Sequence, residues 1–120
     1  MTKRTSKRKQ APVMFGPPMI YEAELESGPS GRVERIRPID MDTAVELRKN
    51  NKNVVVCGGP VEENRRVARL IESAVGPWTM QEPHISRAGP LSLPHFQQVE
   101  RDRHGHSFYE TMFRKARVRS

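Results

Sequence analysis

A single cysteine, Cys57, stands in the 120 residues. One thiol excludes an intramolecular disulfide and any zinc site built from several cysteines, so folding has to rest on packing. Long apolar runs are missing as well. No stretch approaches the roughly 20 residues of a membrane span, and no apolar segment follows the basic N-terminus as a secretory signal would require. Aromatic residues make up only 6% of the chain and hydrophobic residues 35%, which leaves material for one modest core and one domain. A glycine-rich phosphate loop with its lysine is also absent. Gly58-Gly59 does precede a helix-like segment, but Pro60 removes a donor and Glu62-Glu63 would repel an anion, so nucleotide binding is not expected.

Charge is abundant and unevenly placed. The net charge is +7. Residues 1–10 carry five Lys/Arg and no acid, and residues 101–120 carry six Lys/Arg against Asp102 and Glu110. The middle of the chain is close to neutral. Basic ends of this kind favour a polyanionic partner, most simply nucleic acid.

Residues 1–12 lack apolar anchors and are expected to be disordered. The stretch up to 37 mixes Met19, Ile20 and Tyr21 with Pro17, Pro18, Gly28, Pro29 and Gly31. It reads as a basic, Pro/Gly-rich extension, largely disordered, with short extended pieces at most. The domain is expected over 38–116, followed by a basic tail at 117–120. Asp40 and Asp42 suit the start of a helix through Ala44, Val45 and Leu47, ended by Asn50-Asn51. Asn53-Val-Val-Val-Cys57 is a β-branched run bounded by Asn and Gly, the pattern of a buried strand. After Pro60, an amphipathic helix follows, with Val67, Leu70, Ile71, Ala74 and Val75 as its apolar face, a Glu62–Arg66 pair along it, and Gly76-Pro77 as its stop. Asn64, on the edge of that face, is expected to hold a loop. Residues 78–98 hold three prolines and a glycine and predict loops and short strands. In 106–111, His106, Phe108 and Glu110 share one strand face, and Ser107, Tyr109 and Thr111 the other. The tail from Met112 could begin as helix. The fold class is α+β: amphipathic helices packed on a small, mostly antiparallel sheet, with a disordered basic N-terminus.

The chemistry-bearing residues gather late. All four histidines, His84, His95, His104 and His106, lie after residue 83. Histidine titrates near neutrality and suits proton transfer. His84 and His95 each follow a proline that restrains the local backbone. Metal-free cleavage of an RNA phosphodiester needs a base for the 2′-hydroxyl, an acid for the leaving oxygen and a cation for the developing charge. His84, His95 and His106 are candidates for acid and base. Arg87, Arg114 or Lys115 could supply the cation, and Phe96 or Tyr109 a surface for base stacking. No cofactor is then required. The alternative is a divalent metal ion held by His104 and His106 with Asp102 or Glu110. Cys57 ends a strand before a helix, but the valine run preceding it favours a buried structural thiol.

Three blocks together, NVVVCGGPVEENRRVARLIESAVG (53–76), PHISRAGPLSLPHFQQ (83–98) and GHSFYE (105–110), resemble the C-terminal toxin modules of bacterial RHS-type polymorphic toxins over roughly residues 40–116. The resemblance implies an effector domain, commonly a nuclease, acting in the cytoplasm of a target cell. Such a domain is delivered at the end of a larger secreted protein and neutralised by an immunity protein. It puts His84, His95 and His106 forward as catalytic, with Glu110 in support. This chain carries no RHS repeats. Two other readings use the same features: a non-catalytic nucleic-acid-binding protein, and an interaction module left from a toxin.

Overall fold

A computed structural model of the chain describes residues 15–26, 32–81, 93–100 and 102–118. Its elements in chain order are β1 (Met19–Leu25), β2 (Val33–Ile39), α1 (Met41–Lys49), β3 (Asn53–Cys57), α2 (Val61–Val75), β4 (Trp78–Gln81), β5 (His95–Gln98), β6 (Ser107–Tyr109) and β7 (Arg117–Val118). The strands form one sheet in the order β4-β5-β6-β3-β1-β2-β7. Four of its six pairings are antiparallel; β3/β6 and β2/β7 are parallel. Both helices pack on one face, which gives the α+β architecture expected from the sequence.

The valine run explains the centre. Val54, Val55, Val56 and Cys57 are all buried because β3 has neighbours on both edges and cover on both faces. Val54 and Val56 point towards the helices and join Ile20, Ala44, Ala68, Ile71, Phe96 and Tyr109. Val55 and Cys57 point away and join Ala23, Val33, Leu93, Phe108 and Ala116. A period of two thus divides one strand between two small cores.

The helices start and meet through polar groups. The Asp40 carboxylate accepts the Thr43 N–H at 2.8 Å, capping α1. α2 has Pro60 at its N-cap and no side-chain cap. Asn64, one turn in, instead holds the loop before the helix: Oδ1 accepts the Gly59 N–H, and Nδ2 donates to the Gly59 and Glu110 carbonyls. Asn64 is therefore the loop-holding residue that its position on the helix suggests. Ala44 and Arg48 on α1, and Ala68 and Glu72 on α2, each lie four residues apart, so the inner stripes of both helices end on opposite charges. Arg48 Nε donates to Glu72 at 2.6 Å and Nη2 at 3.1 Å, with both side chains fully buried.

Several expectations are corrected here. The domain does not begin at residue 38, because β1 and most of β2 lie before it and β1 sits between β3 and β2 in the sheet. Ile20 and Ala23 turn inward, while Glu22 and Glu24, with the prolines and glycines around the strand, hide the pattern. Pro38 lies on β2 beyond the two residues paired with β7, an edge stretch where proline is tolerated. The expected disorder of residues 1–12 falls outside the described residues. The tail at 117–120 is not free throughout, since Arg117–Val118 pairs with Glu34–Arg35, and no helix begins at Met112. The buried stripe of α2 is Asn64, Ala68, Ile71 and Glu72, whereas Leu70 is 43% exposed. Two polar residues belong to it because they have buried partners. Arg66 pairs with Glu63 rather than Glu62.

Removing one member of a fully buried ion pair leaves an uncompensated charge, which costs about 3–5 kcal/mol. Glu72→Ala is expected to lower unfolding stability by about that much in urea titration. Glu63→Ala, which breaks an exposed contact to Arg66, should stay within about 0.5 kcal/mol of the parent.

Candidate functional site

The sheet face away from the helices carries two of the four histidines. His95 opens β5, and its Cα pairs with Phe108 across the ladder. His106 immediately precedes β6, two residues before Phe108, so alternation places its ring on the same face. The two imidazole centroids lie 4.4 Å apart at an interplanar angle of 63°, and each is 5.2 Å from the Phe108 ring.

The backbone at His106 is held from three sides. Arg48 Nη1 donates to the His104 carbonyl at 2.9 Å. The His106 N–H donates to Asn53 Oδ1 at 2.8 Å, and its carbonyl accepts the Val54 N–H. Ser107 Oγ donates to Glu72. Gly105 makes this approach possible, since its φ is +85° and a Cβ there would stand 2.6 Å from Arg48 Nη1 and 2.9 Å from the Lys52 carbonyl. The Arg48–Glu72 pair thus reaches from the helix layer to the segment that aims His106.

The two rings differ in surroundings. Burial, the neighbouring His95 and the Arg48 charge lower the pKa of His106 to about 4, so the ring is neutral at pH 7. Its Nδ1 is buried with no hydrogen-bond partner among the described residues. His95 has an acceptor near each nitrogen: the Leu93 carbonyl lies 3.4 Å from Nδ1, and Gln97 Oε1 lies 3.1 Å from Nε2. Both contacts are made inside the protein, and His95 is 8% exposed.

Other sequence candidates are placed differently. Glu110 is 2% exposed, and its Oε2 accepts from Arg35 Nη2 at 2.9 Å and from the Ala116 N–H at 2.8 Å. It closes the C-terminal segment onto the sheet and does not adjoin the imidazoles through any of these bonds. Phe96 and Tyr109 are corrected as stacking surfaces. Both are buried among the helix-side core residues, 2% and 3% exposed, on the face opposite the histidines. Arg114 is half-buried and Lys115 exposed on the segment after β6. His84 and Arg87 lie outside the described residues.

The metal constellation is not assembled: among the described residues, no three His, Cys, Asp or Glu side chains converge as ligands. His104 and Asp102 are exposed, while Glu110 is taken up by Arg35 and the Ala116 N–H. Cys57 is 1% exposed, and burial, reinforced by Glu110, pushes its thiol up to about 12, the state of a structural thiol. Gly105 stands out in the sequence as the residue before His106, whereas Arg48 and Asn53, which also position it, carry no local signal because they meet it across 53 or more residues.

Comparison with protein-family models, curated proteins and solved structures yields no match.

His106 titrates near 4 in the native chain against 6.5 when unperturbed. Between those values the unfolded chain binds a proton that the native chain does not, so this residue makes stability fall as pH drops from about 6.5 towards 4. His106→Phe should flatten that part of the stability profile relative to the parent. Urea midpoints at pH 7, 5.5 and 4.5 on both proteins check it, and parallel profiles would contradict the assignment.

Proposed function

We propose that this chain is a toxin-type nuclease that cleaves RNA by histidine general acid–base chemistry. The observation carrying the reading is the imidazole pair itself: two rings 4.4 Å apart, one held neutral and the other flanked by acceptors on both nitrogens. Two titratable groups in contrasting environments are the arrangement that divides base from acid.

With Nδ1 buried, His106 would act through Nε2, taking the proton from the 2′-hydroxyl. O2′ then attacks phosphorus, and His95 gives its proton to the departing O5′, leaving a 2′,3′-cyclic phosphate and a free 5′-hydroxyl. DNA lacks the attacking group and is not a substrate for this step. The segment with His84 and Arg87 begins after Gln81, whose Cα pairs with His95, and returns at Leu93, two residues before it. In this reading Arg87 is the cation and His84 a further proton carrier; both lie outside the described residues. Lys115 and Arg114, with the basic ends, supply attraction for phosphates. An effector of this kind would act in the cytoplasm of the target cell and be held in check by an immunity protein. No helix among the described residues is long and apolar enough to cross a membrane.

The test is incubation of the purified chain with labelled RNA and DNA, with and without EDTA. RNA should be cut in EDTA and DNA left whole. His95→Ala and His106→Ala should each lower the rate by about 100-fold or more, with folding verified by circular dichroism. Intact RNA under every condition would overturn the reading and favour a non-catalytic binder using the basic ends. Cleavage abolished by EDTA would favour a metal-dependent reaction.

A further inference from the structure

Phe113 is the most exposed large hydrophobic residue described, at 90%, and Met112 beside it is 59% exposed. A ring left in water usually folds back onto nearby apolar surface, but this turn is pinned. The Thr111 N–H donates to the Arg114 carbonyl at 3.0 Å, and Thr111 Oγ1 accepts the N–H groups of Phe113 and Arg114 at 3.3 and 3.0 Å. Its base is closed by Glu110, whose N–H donates to the Val56 carbonyl and whose Oε2 accepts the Ala116 N–H across six residues. Ala116 is buried in the core on the histidine face. The loop is therefore clamped at both ends and presents one aromatic ring to solvent.

We infer that Phe113 is a nucleobase-stacking platform for single-stranded nucleic acid, with Arg114 and Lys115 contacting the adjoining phosphates. The inference rests on the nuclease reading and supplies the stacking surface that Phe96 and Tyr109, buried on the other face, do not provide. An exposed ring followed directly by two cations matches a strand whose bases offer π-faces and whose backbone is anionic. The cleft beside Met112 is lined by Glu62, which would repel a phosphate there, so the cationic contacts are those that follow Phe113. β6 runs from the residue after His106 towards this turn, so one strand of sheet links the ring to the imidazole pair.

The experiment measures binding of a short dye-labelled single-stranded DNA, which lacks the 2′-hydroxyl and stays intact, to the full chain at low salt. Phe113→Ala should weaken binding about 10- to 100-fold, the range of one lost base–aromatic stack. Phe113→Trp should retain it, and Phe113→Leu, which keeps an apolar side chain without a ring, should behave like alanine. Because the side chain is exposed, these variants are expected to fold as the parent does. Equal binding by parent and Phe113→Ala would overturn the inference while leaving the nuclease reading standing. Failure of the parent to bind, with RNA also left uncut, would overturn both. If parent and Phe113→Leu both bind vesicles of mixed phosphatidylserine and phosphatidylcholine, and the oligonucleotide is indifferent to residue 113, the turn is a lipid contact and the inference fails.

Discussion

A fully buried arginine and a fully buried glutamate face each other between the helices and the sheet, and four other parts of the chain hang on that contact. Glu72 accepts from Arg48, from Gln98 Nε2 on β5 and from Ser107 Oγ on β6. Arg48 also donates to the Lys52 and His104 carbonyls. A buried ion pair repays its desolvation only when every remaining donor and acceptor is satisfied, and this one is satisfied by segments far apart in sequence. It therefore selects one arrangement of both helices, β5 and the approach to β6. It also sets the electrostatics behind the imidazoles, because the Arg48 charge helps keep His106 neutral. The same contact thus links packing to chemistry.

The elements built on local patterns were legible. The Asp40 cap, the valine strand, the helix after Pro60 and the strand alternation at 106–110 follow from neighbours a few residues apart, and the structure contains each of them. Elements whose justification lies elsewhere in the chain were not. β1 alternates weakly, and its place beside β3 depends on that partner. β7 is two residues long and exists only because β2 offers an edge. Glu72 looks like a solvated helix residue until Arg48, 24 positions away, is seen to meet it. Of the candidate site, the pairing of His95 with His106 was within reach of the sequence, through clustering and through the face assigned to His106. The burial of Phe96 and Tyr109 was not, since a period of two says which residues share a face but not which face the helices cover. Glu110 shows the same limit: its strand face was read correctly, yet its partners, Arg35 and Ala116, come from strand pairings that no local pattern announces.

The division of the sheet into two faces organises the rest. Helices cover one side, where the larger core holds Ile71, Phe96 and Tyr109. On the other side, among the described residues, Leu93 from the approach to β5 and Ala116 from the C-terminal segment pack onto the sheet. The imidazoles lie on that side, with His95 buried and His106 half-buried. Tyr21 and Arg35 extend the same face, with the guanidinium carbon 5.0 Å from the ring centroid and one arm on Glu110.

Pairing between β3 and β6 joins Val54 to Ser107, so the middle of the sheet closes across nearly half of the polypeptide. Contacts so distant along the chain raise contact order and delay folding relative to local ones. During synthesis, β1, β2, α1 and β3 can associate as soon as they emerge, whereas His106 finds its place only after β6 has left the ribosome. The imidazole pair therefore forms late, only once both sides of the β3/β6 pairing have been made, and until then β3 keeps one edge open.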